Sequence, residues 1–294
     1  MDIAAIVAKA VPDSEEIIQR TGGQLSTVVE VRRTSGDPLI VKVYAPEWAW
    51  KQAKEVHVYG LLAEELDGSI PKVVHAEPAG EHDAFTVLTK LDGVPLSELD
   101  PPDWEAAYTQ LGQLIARVHR IPQPEYGYLT DRILDPLPDN DQYMRRQFSK
   151  KLGEFDQLGG DQALRQAIQA FVDKHSGLFK ANQAPVLCHN DFHEGNILVD
   201  PETWQVTGFI DVENAIAADP LIDLAKTVSY SVQGDADKLA GLTTGYGELP
   251  ADWADRVHLY RVYHSLELWD WFKSIGETTY LESIATELAG LVDG

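Results

Sequence analysis

The sequence predicts an α+β fold, rich in strands over residues 1–91 and mainly helical over 92–294. Three observations carry this reading. Short β-branched runs bounded by turn residues recur at 28–33, 38–44, 70–75 and 84–89, as expected of about five strands in one small sheet. Helical spacing follows: Trp104, Ala107, Leu111, Leu114, Ile115 and Val118 fall on one face, with Pro101-Pro102-Asp103 before them and Ile121-Pro122 after. Between helical segments, residues 186–224 hold a cluster of polar side chains in one tight turn, then two short strand-like runs.

At 294 residues and 44% hydrophobic, the chain can bury a full core and form two lobes or one large domain. It has no run of eighteen apolar residues, and its N-terminus lacks the basic start, apolar centre and cleavage site of a signal peptide, so a cytoplasmic protein with no membrane partner is expected. Cys188 is the only cysteine, which excludes an intrachain disulfide and a Cys-based zinc site; it reads as a small buried side chain. With 47 acidic against 24 basic residues the formal charge is −23. That balance lacks the basic footprint of a nucleic-acid binder. From Asp211 onward there are 15 acidic and 5 basic residues. Such a surface favours a cationic partner, and equally serves solubility alone.

In chain order, residues 1–20 read as an amphipathic helix with Ile3, Ile6, Val7 and Ala10 on one face. In the turn 21–27, Gly23 lets backbone N–H groups approach a phosphate and Ser26 and Thr27 add hydroxyls; the full GxGxxG pattern is missing, so a plain turn is the alternative. Lys42 sits among apolar neighbours in the second strand, where its ammonium needs partners or must snorkel from a sheet edge. A helix over 47–66 places Glu55 on the stripe of Val58, Tyr59 and Leu62. Pairing with Lys42 explains a carboxylate there; Glu64 and Glu65 compete for that role. The segment 88–93 leaves the sheet, 123–140 reads as a surface connection rich in proline and aspartate, and helices are expected at 141–158, 161–179 and 253–272. On the last of these, Tyr260, His264, Glu267 and Trp271 share a face, with Asp270 beside them. Glu267 or Asp270 could pair with an ammonium under an aromatic cover, or the face is a buried aromatic seam.

The polar turn carries His189, Asp191, His193 and Asn196. Residues 197–199 and 205–210 are strand-like about a turn at 201–203, and pairing them antiparallel sets Asn196 beside Asp211. An amide oxygen and a carboxylate at the open end of a hairpin suit Mg²⁺, and Asp191 across the turn suits a proton acceptor, the division of labour of kinase-type phosphoryl transfer. Asp219-Pro220 starts a further helix that carries Asp223. Each residue alone is common in turns; the joint spacing points to chemistry.

The stretches HNDFHEGN (189–196), GFIDVE (208–213) and DPLIDLA (219–225) resemble the aminoglycoside phosphotransferases, a kinase-like family that includes macrolide, choline, homoserine and fructosamine kinases. The resemblance implies a bilobal protein-kinase-like fold: a nucleotide-binding N-lobe at 1–91, with a five-stranded antiparallel sheet and one main helix, and a catalytic, acceptor-binding C-lobe at 92–294. It implies that Asp191 orients the acceptor hydroxyl, that Asn196 and Asp211 hold Mg²⁺, and that Lys42 with Glu55 grips the phosphates of ATP or GTP. Thr89, Lys90 and Leu91 take the place of the hinge beside the base. His193 donates to the γ-phosphate or makes a structural bond, His189 and Asp223 brace the turn, and His119 is structural. Glu213 adds to metal or substrate binding, or is solvated. The implied acceptor is a cationic small molecule, an aminoglycoside antibiotic first; a kinase of another small molecule and a non-catalytic nucleotide-binding regulator are the alternatives. The expected state is a monomer or weak homodimer. Seven residues, 212–218, separate Asp211 from the next helix, too few for the activation loop of a protein kinase, and Asp-Val-Glu replaces Asp-Phe-Gly.

Overall fold

The computed structural model describes residues 2–20, 26–182 and 184–293. A short helix, α1 (Ile3–Ala10), precedes five strands and one main helix: β1 (Ser14–Gln19), β2 (Ser26–Arg33), β3 (Leu39–Tyr44), α2 (Trp50–Leu62), β4 (Val73–Glu77) and β5 (Phe85–Thr89). The strands form one antiparallel sheet in the order β1-β2-β3-β5-β4. Alternation along the strands divides its two faces. Val29, Val31, Val41, Val43, Phe85 and Val87 pack with Ile6 and Val7 of α1. Lys42 and Tyr44, on the opposite parity, meet α2 at Glu55.

The C-terminal lobe continues with β6 (Val94–Pro95), α3 (Trp104–Val118), β7 (Tyr126–Leu129), β8 (Ile133–Leu137), α4 (Asn140–Gln157), α5 (Gln162–His175), β9 (Val186–Cys188), β10 (Ile197–Val199), β11 (Val206–Phe209), β12 (Ile216–Ala218), α6 (Leu221–Thr227), α7 (Ala236–Tyr246), α8 (Trp253–Ser274) and α9 (Leu281–Asp293). A π-helical turn, Val228–Val232, follows α6. Two small sheets, β11-β10-β6 and β8-β7-β12-β9, frame the polar turn. Helix α8 is the hub of this lobe and packs on α4, α6 and α9. Its Arg256 and Tyr260 both bond the carboxylate of Asp219 ahead of α6, so the hub is tied to the catalytic segment through a buried ion pair. Among the described residues, no helix is long and apolar enough to cross a membrane.

Two expected elements differ. Residues 14–19 continue as strand β1, not as helix, and Ile17 pairs with Val31. The strand lies at the sheet edge and is half exposed, so its polar residues blurred the alternation that marks strands. The supposed surface connection at 123–140 contains the hairpin β7–β8, whose Tyr126 and Leu129 are buried and whose inner strand pairs with β12. Pro136 is tolerated because β8 is an edge strand with no outer neighbour.

Helices α3 and α7 approach closely because glycines line the contact. A Cβ on Gly112 would lie 2.3 Å from the carbonyl oxygen of Leu242, and one on Gly245 would lie 1.9 Å from that of Thr109. Neither backbone can yield cheaply, since each is held in its own helix. Gly245→Ala is therefore expected to cost about 1–3 kcal/mol by overpacking. Denaturant unfolding of the purified variant checks this, and unchanged stability would contradict the close packing.

Candidate active site

Three carboxylates and two ammonium groups meet where the lobes join. Lys42 Nζ lies 2.9 Å from Glu55 Oε1, 3.1 Å from Asp211 Oδ1 and 2.9 Å from Glu213 Oε2. Lys51, one turn before Glu55 on α2, reaches the other oxygen of Glu213 at 2.9 Å. Tyr44 donates its hydroxyl to Glu55. Burial alone would lower the Lys42 pKa, but the carboxylates of Glu55 and Asp211 overcome that and hold it well above the ordinary value. The Glu55 pKa is raised, chiefly by its own burial. Of the two competitors, Glu65 reaches Arg120 instead.

The polar turn is fixed from behind by α6. Asp223, wholly buried, accepts the backbone N–H of His189 at 2.7 Å and of Asn190 at 2.6 Å, and His119 Nε2 lies 3.1 Å from it. His189 Nδ1 accepts the N–H of Asp191 at 3.2 Å, which leaves its Nε2–H facing the carbonyl of Ile210 at 3.2 Å. Burial lowers the His189 pKa, so the ring is neutral and serves as a spacer. Cys188, behind the turn, is fully buried and burial pushes its thiol pKa up, which leaves no nucleophile there.

Asp191 emerges from this frame. Its Oδ2 accepts from Asn214 Nδ2 at 3.1 Å, while His193 Nε2 and Lys226 Nζ each lie 3.7 Å from Oδ1. Burial would raise its pKa, but Lys226 and His193 outweigh that and hold it below the usual carboxylate value. The group is ionised at neutral pH, the state in which a carboxylate can accept a proton.

The strands β10 and β11 pair antiparallel with Ile197 opposite Phe209, and Ile210 N–H donates to Asn196 O at 3.0 Å. Asn196 and Asp211 thus flank the open end of the hairpin. Asn196 Nδ2 is committed to the carbonyl of Asp191 at 3.0 Å, which leaves Oδ1 as the atom that could meet a cation. Asp211 sits in the left-handed region, φ 63°, and its side chain is 39% exposed while one oxygen holds Lys42. One amide oxygen and one partly exposed carboxylate fit a hard divalent cation. The glycine of GFIDVE has a steric reason: a Cβ on Gly208 would lie 2.0 Å from the carbonyl oxygen of Ser69, which accepts the next N–H, of Phe209, at 3.0 Å.

On the far side of Asp191 lies a cavity of about 550 Å³ lined by Asn190, Asp191, Lys226, Glu267, Asp270 and Trp271 among others. Its wall also holds Glu154 and Lys151, so four carboxylates face two ammonium groups there. Burial would raise the Glu267 pKa, but His264 and Lys226 carry it down to about 2. Asp270 is 2% exposed, and neither of its oxygens has a hydrogen-bond partner among the described residues. Burial pushes it up to about 7.

Several expected site residues sit elsewhere. His264 is fully buried, with Nε2 2.8 Å from the carbonyl of Ile222, so it stands behind Glu267 and does not face the cavity. The four residues at helical spacing do share a face of α8, but the cavity meets only its C-terminal part, where Glu267, Asp270 and Trp271 lie. Glu213 is not solvated: it is 7% exposed, neutralised by Lys42 and Lys51, and does not line the cavity beside Asp191. Ser26 and Thr27 open β2 opposite Tyr44 and Val43, whereas Gly23 lies outside the described residues. Thr89 bonds Lys72 through both its N–H and its hydroxyl, each at 2.9 Å; Lys90 and Leu91 follow it, half buried, where the chain leaves the sheet.

Sequence reasoning missed Lys226, hidden in an apolar helical run, and Lys54 on α2. Lys54 is fully buried with no hydrogen-bond partner among the described residues, its Nζ 3.8 Å from the ring centroid of Tyr128. Burial and the charge of Lys51 lower it to about 7. No pattern in the sequence distinguishes either lysine from a surface residue.

This architecture is the protein-kinase-like fold, with a sheet and one helix over a helical lobe and the polar turn at their junction. The chain belongs to the phosphotransferase enzyme family (APH), which matches residues 16–258. It is 30% identical over 165 residues to an aminoglycoside 3'-phosphotransferase of Streptomyces ribosidificus, covering 53% of this chain and 57% of that one. It is 28% identical over 151 residues to a streptomycin 3''-kinase of Streptomyces griseus, covering 50% and 54%. The chain therefore spans little more than half the length of these curated relatives. Its fold is similar to that of a thermostable mutant of aminoglycoside phosphotransferase APH(4)-Ia in ternary complex with ADP and hygromycin B, with TM-score 0.79, 13% identity, and 100% and 98% of the two chains covered. It is also similar to APH(2")-IIia in complex with GDP and kanamycin, with TM-score 0.74, 16% identity, and 98% and 97% covered.

Asp270 gives the site a pH signature. A carboxyl whose pKa is about 7 folded and about 3.9 unfolded binds more protons in the folded state between those values, so stability falls as pH rises through that window. Asp270→Asn removes the penalty. Its melting temperature is expected to exceed that of the parent at about pH 8, with the gain shrinking toward about pH 4. A gain independent of pH would contradict the assignment.

Proposed function

We propose that the chain transfers the γ-phosphate of ATP or GTP, with Mg²⁺, to a hydroxyl of a cationic small molecule, foremost an aminoglycoside. The observation that carries this reading is the position of Asp191. An ionised carboxylate stands between the Lys42 cluster on one side and an acidic cavity on the other, where an acceptor hydroxyl and a terminal phosphate can meet. In this reading residues 1–91 form the nucleotide-binding lobe, residues 92–294 the catalytic and acceptor lobe, and the enzyme works in the cytoplasm on its nucleotide pool.

The geometry supports the following roles. Lys42, oriented by Glu55, grips the nucleotide phosphates, and Asn196 and Asp211 hold Mg²⁺, which supplies charge neutralisation on the phosphates when bound. Asp191 orients the acceptor hydroxyl and takes its proton as the O–P bond forms. His193, with one nitrogen toward Asp191, donates toward the transferring phosphate. Glu267 and Asp270 meet the ammonium groups of the acceptor, and Trp271, 45% exposed at the cavity rim, covers its ring. The relatives named above, and the solved structures that hold a nucleotide with hygromycin B or kanamycin, support this class of acceptor.

Because such a transition state needs mainly alignment and charge neutralisation, Asp191→Ala and Asp211→Ala are each expected to lower turnover about 10²–10⁴-fold without loss of the fold. Coupled ADP or GDP release across aminoglycosides, macrolides, choline, homoserine and amino sugars measures both the effect and the acceptor. Full activity of Asp211→Ala contradicts the metal assignment. A response confined to uncharged acceptors contradicts the cationic one.

A further inference from the structure

We propose that Lys226 is a positioning residue for phosphoryl transfer: its ammonium, reaching out of α6, locks the peptide before Asp191 and holds that carboxylate open toward the acceptor. The proposal rests on the reading of Asp191 as the base. Lys226 is 8% exposed, and a buried ammonium needs partners. It donates to the carbonyl of Asn190 at 2.8 Å. Asp191 Oδ1 and Glu267 Oε2 lie at 3.7 and 3.9 Å, and the ring of Tyr230 is 5.6 Å away.

Asn190 has φ 58°, in the left-handed region that asparagine tolerates better than most side chains. Helix α6 fixes it there from both ends. Asp223 takes the N–H of Asn190 at 2.6 Å, and Lys226, three residues on and so on the same helix face, takes its carbonyl at 2.8 Å. A carboxylate and an ammonium from one helical turn thus clamp a single residue, and the next residue is Asp191. The direction of the Asp191 side chain is set by that clamp.

The separation from Asp191 matters as much as the clamp. At 3.7 Å, Lys226 is too far to form a hydrogen bond with Oδ1 yet close enough for substantial Coulomb attraction. The carboxylate therefore stays ionised beside the acidic cavity while a lone pair of Oδ1 is left for the acceptor hydroxyl. Oδ2, bonded to Asn214, sets the rotation of the group. Glu267 on the cavity side shares the ammonium, so the one cation separates the base from the acidic wall that would otherwise repel it.

The test compares Lys226→Gln, which keeps a neutral donor for Asn190, with Lys226→Arg, which keeps the charge. Steady-state rates are taken with ATP and the acceptor from the panel above that the parent turns over fastest. With the charge that separates Asp191 from Glu267 removed, kcat of Lys226→Gln is expected to fall about 100-fold, while KM for ATP stays within about two-fold because the Lys42 cluster is untouched. Lys226→Arg is expected to recover at least about ten-fold of that loss. Parental kcat in Lys226→Gln overturns the proposal. So does a loss that arginine does not relieve, or one that comes with loss of the folded state and marks Lys226 as structural only. Asp191→Asn, measured alongside, separates the two levels: if it is fully active the reading of the base fails, whereas if it is inactive and Lys226→Gln is not, only the role of Lys226 fails.

Discussion

The ammonium of Lys42 is the interaction on which the rest of the structure depends. It lies on the face of β3 opposite the valines that pack on α1, and it is touched by carboxylates from both lobes, Glu55 from α2 and Asp211 with Glu213 from the segment after β11. Removing one member of a buried ion cluster leaves its partners uncompensated, at a cost of about 3–5 kcal/mol, so lobe docking and charge balance are one constraint. Lys51 supplies the second positive charge by neutralising the far oxygen of Glu213. Three carboxylates against two ammonium groups leave a negative remainder, and Asp211, the most exposed of the three, is where a further cation is accommodated at least cost.

From that junction the chain builds two unlike sides around Asp191. Around Lys42 the charges are already paired, and in the proposed reading a triphosphate would exchange one set of anionic partners of Lys42 for another. On the cavity side, Asp270 is buried with no hydrogen-bond partner among the described residues, an arrangement that costs stability unless the group takes up a proton or meets a further positive charge. Helix α6 reconciles the two sides. Its Asp223 holds the catalytic turn and its Lys226 faces the cavity, while Asp219, just ahead of it, is tied to Arg256 and Tyr260 of the hub helix.

Much of this was legible because local chemistry and global fold agree. The turn between Ile197–Val199 and the following strand set the hairpin register, and with it the adjacency of Asn196 and Asp211. The charge interrupting the stripe at Glu55 pointed to a buried partner, and Lys42 was the lysine without company. The misses share a cause: burial by long-range partners leaves no periodic trace. Glu213 stayed open between metal or substrate binding and a solvated role because its two lysines come from β3 and α2; Lys226 drew no reading because its carbonyl partner lies 36 positions away. His264 obeyed the helical spacing, yet no spacing states where along α8 the cavity begins. Strands β1 and β8 escaped because edge strands carry polar residues and proline that blur the period of two.

The most direct measurement is a crystal structure with AMP-PNP and Mn²⁺, the metal located by its anomalous signal. The account predicts a metal peak coordinated by Asn196 Oδ1 and the Asp211 carboxylate, with Lys42 on the phosphates and the terminal phosphate facing Asp191. A metal held elsewhere, or a nucleotide bound away from Lys42, would contradict it.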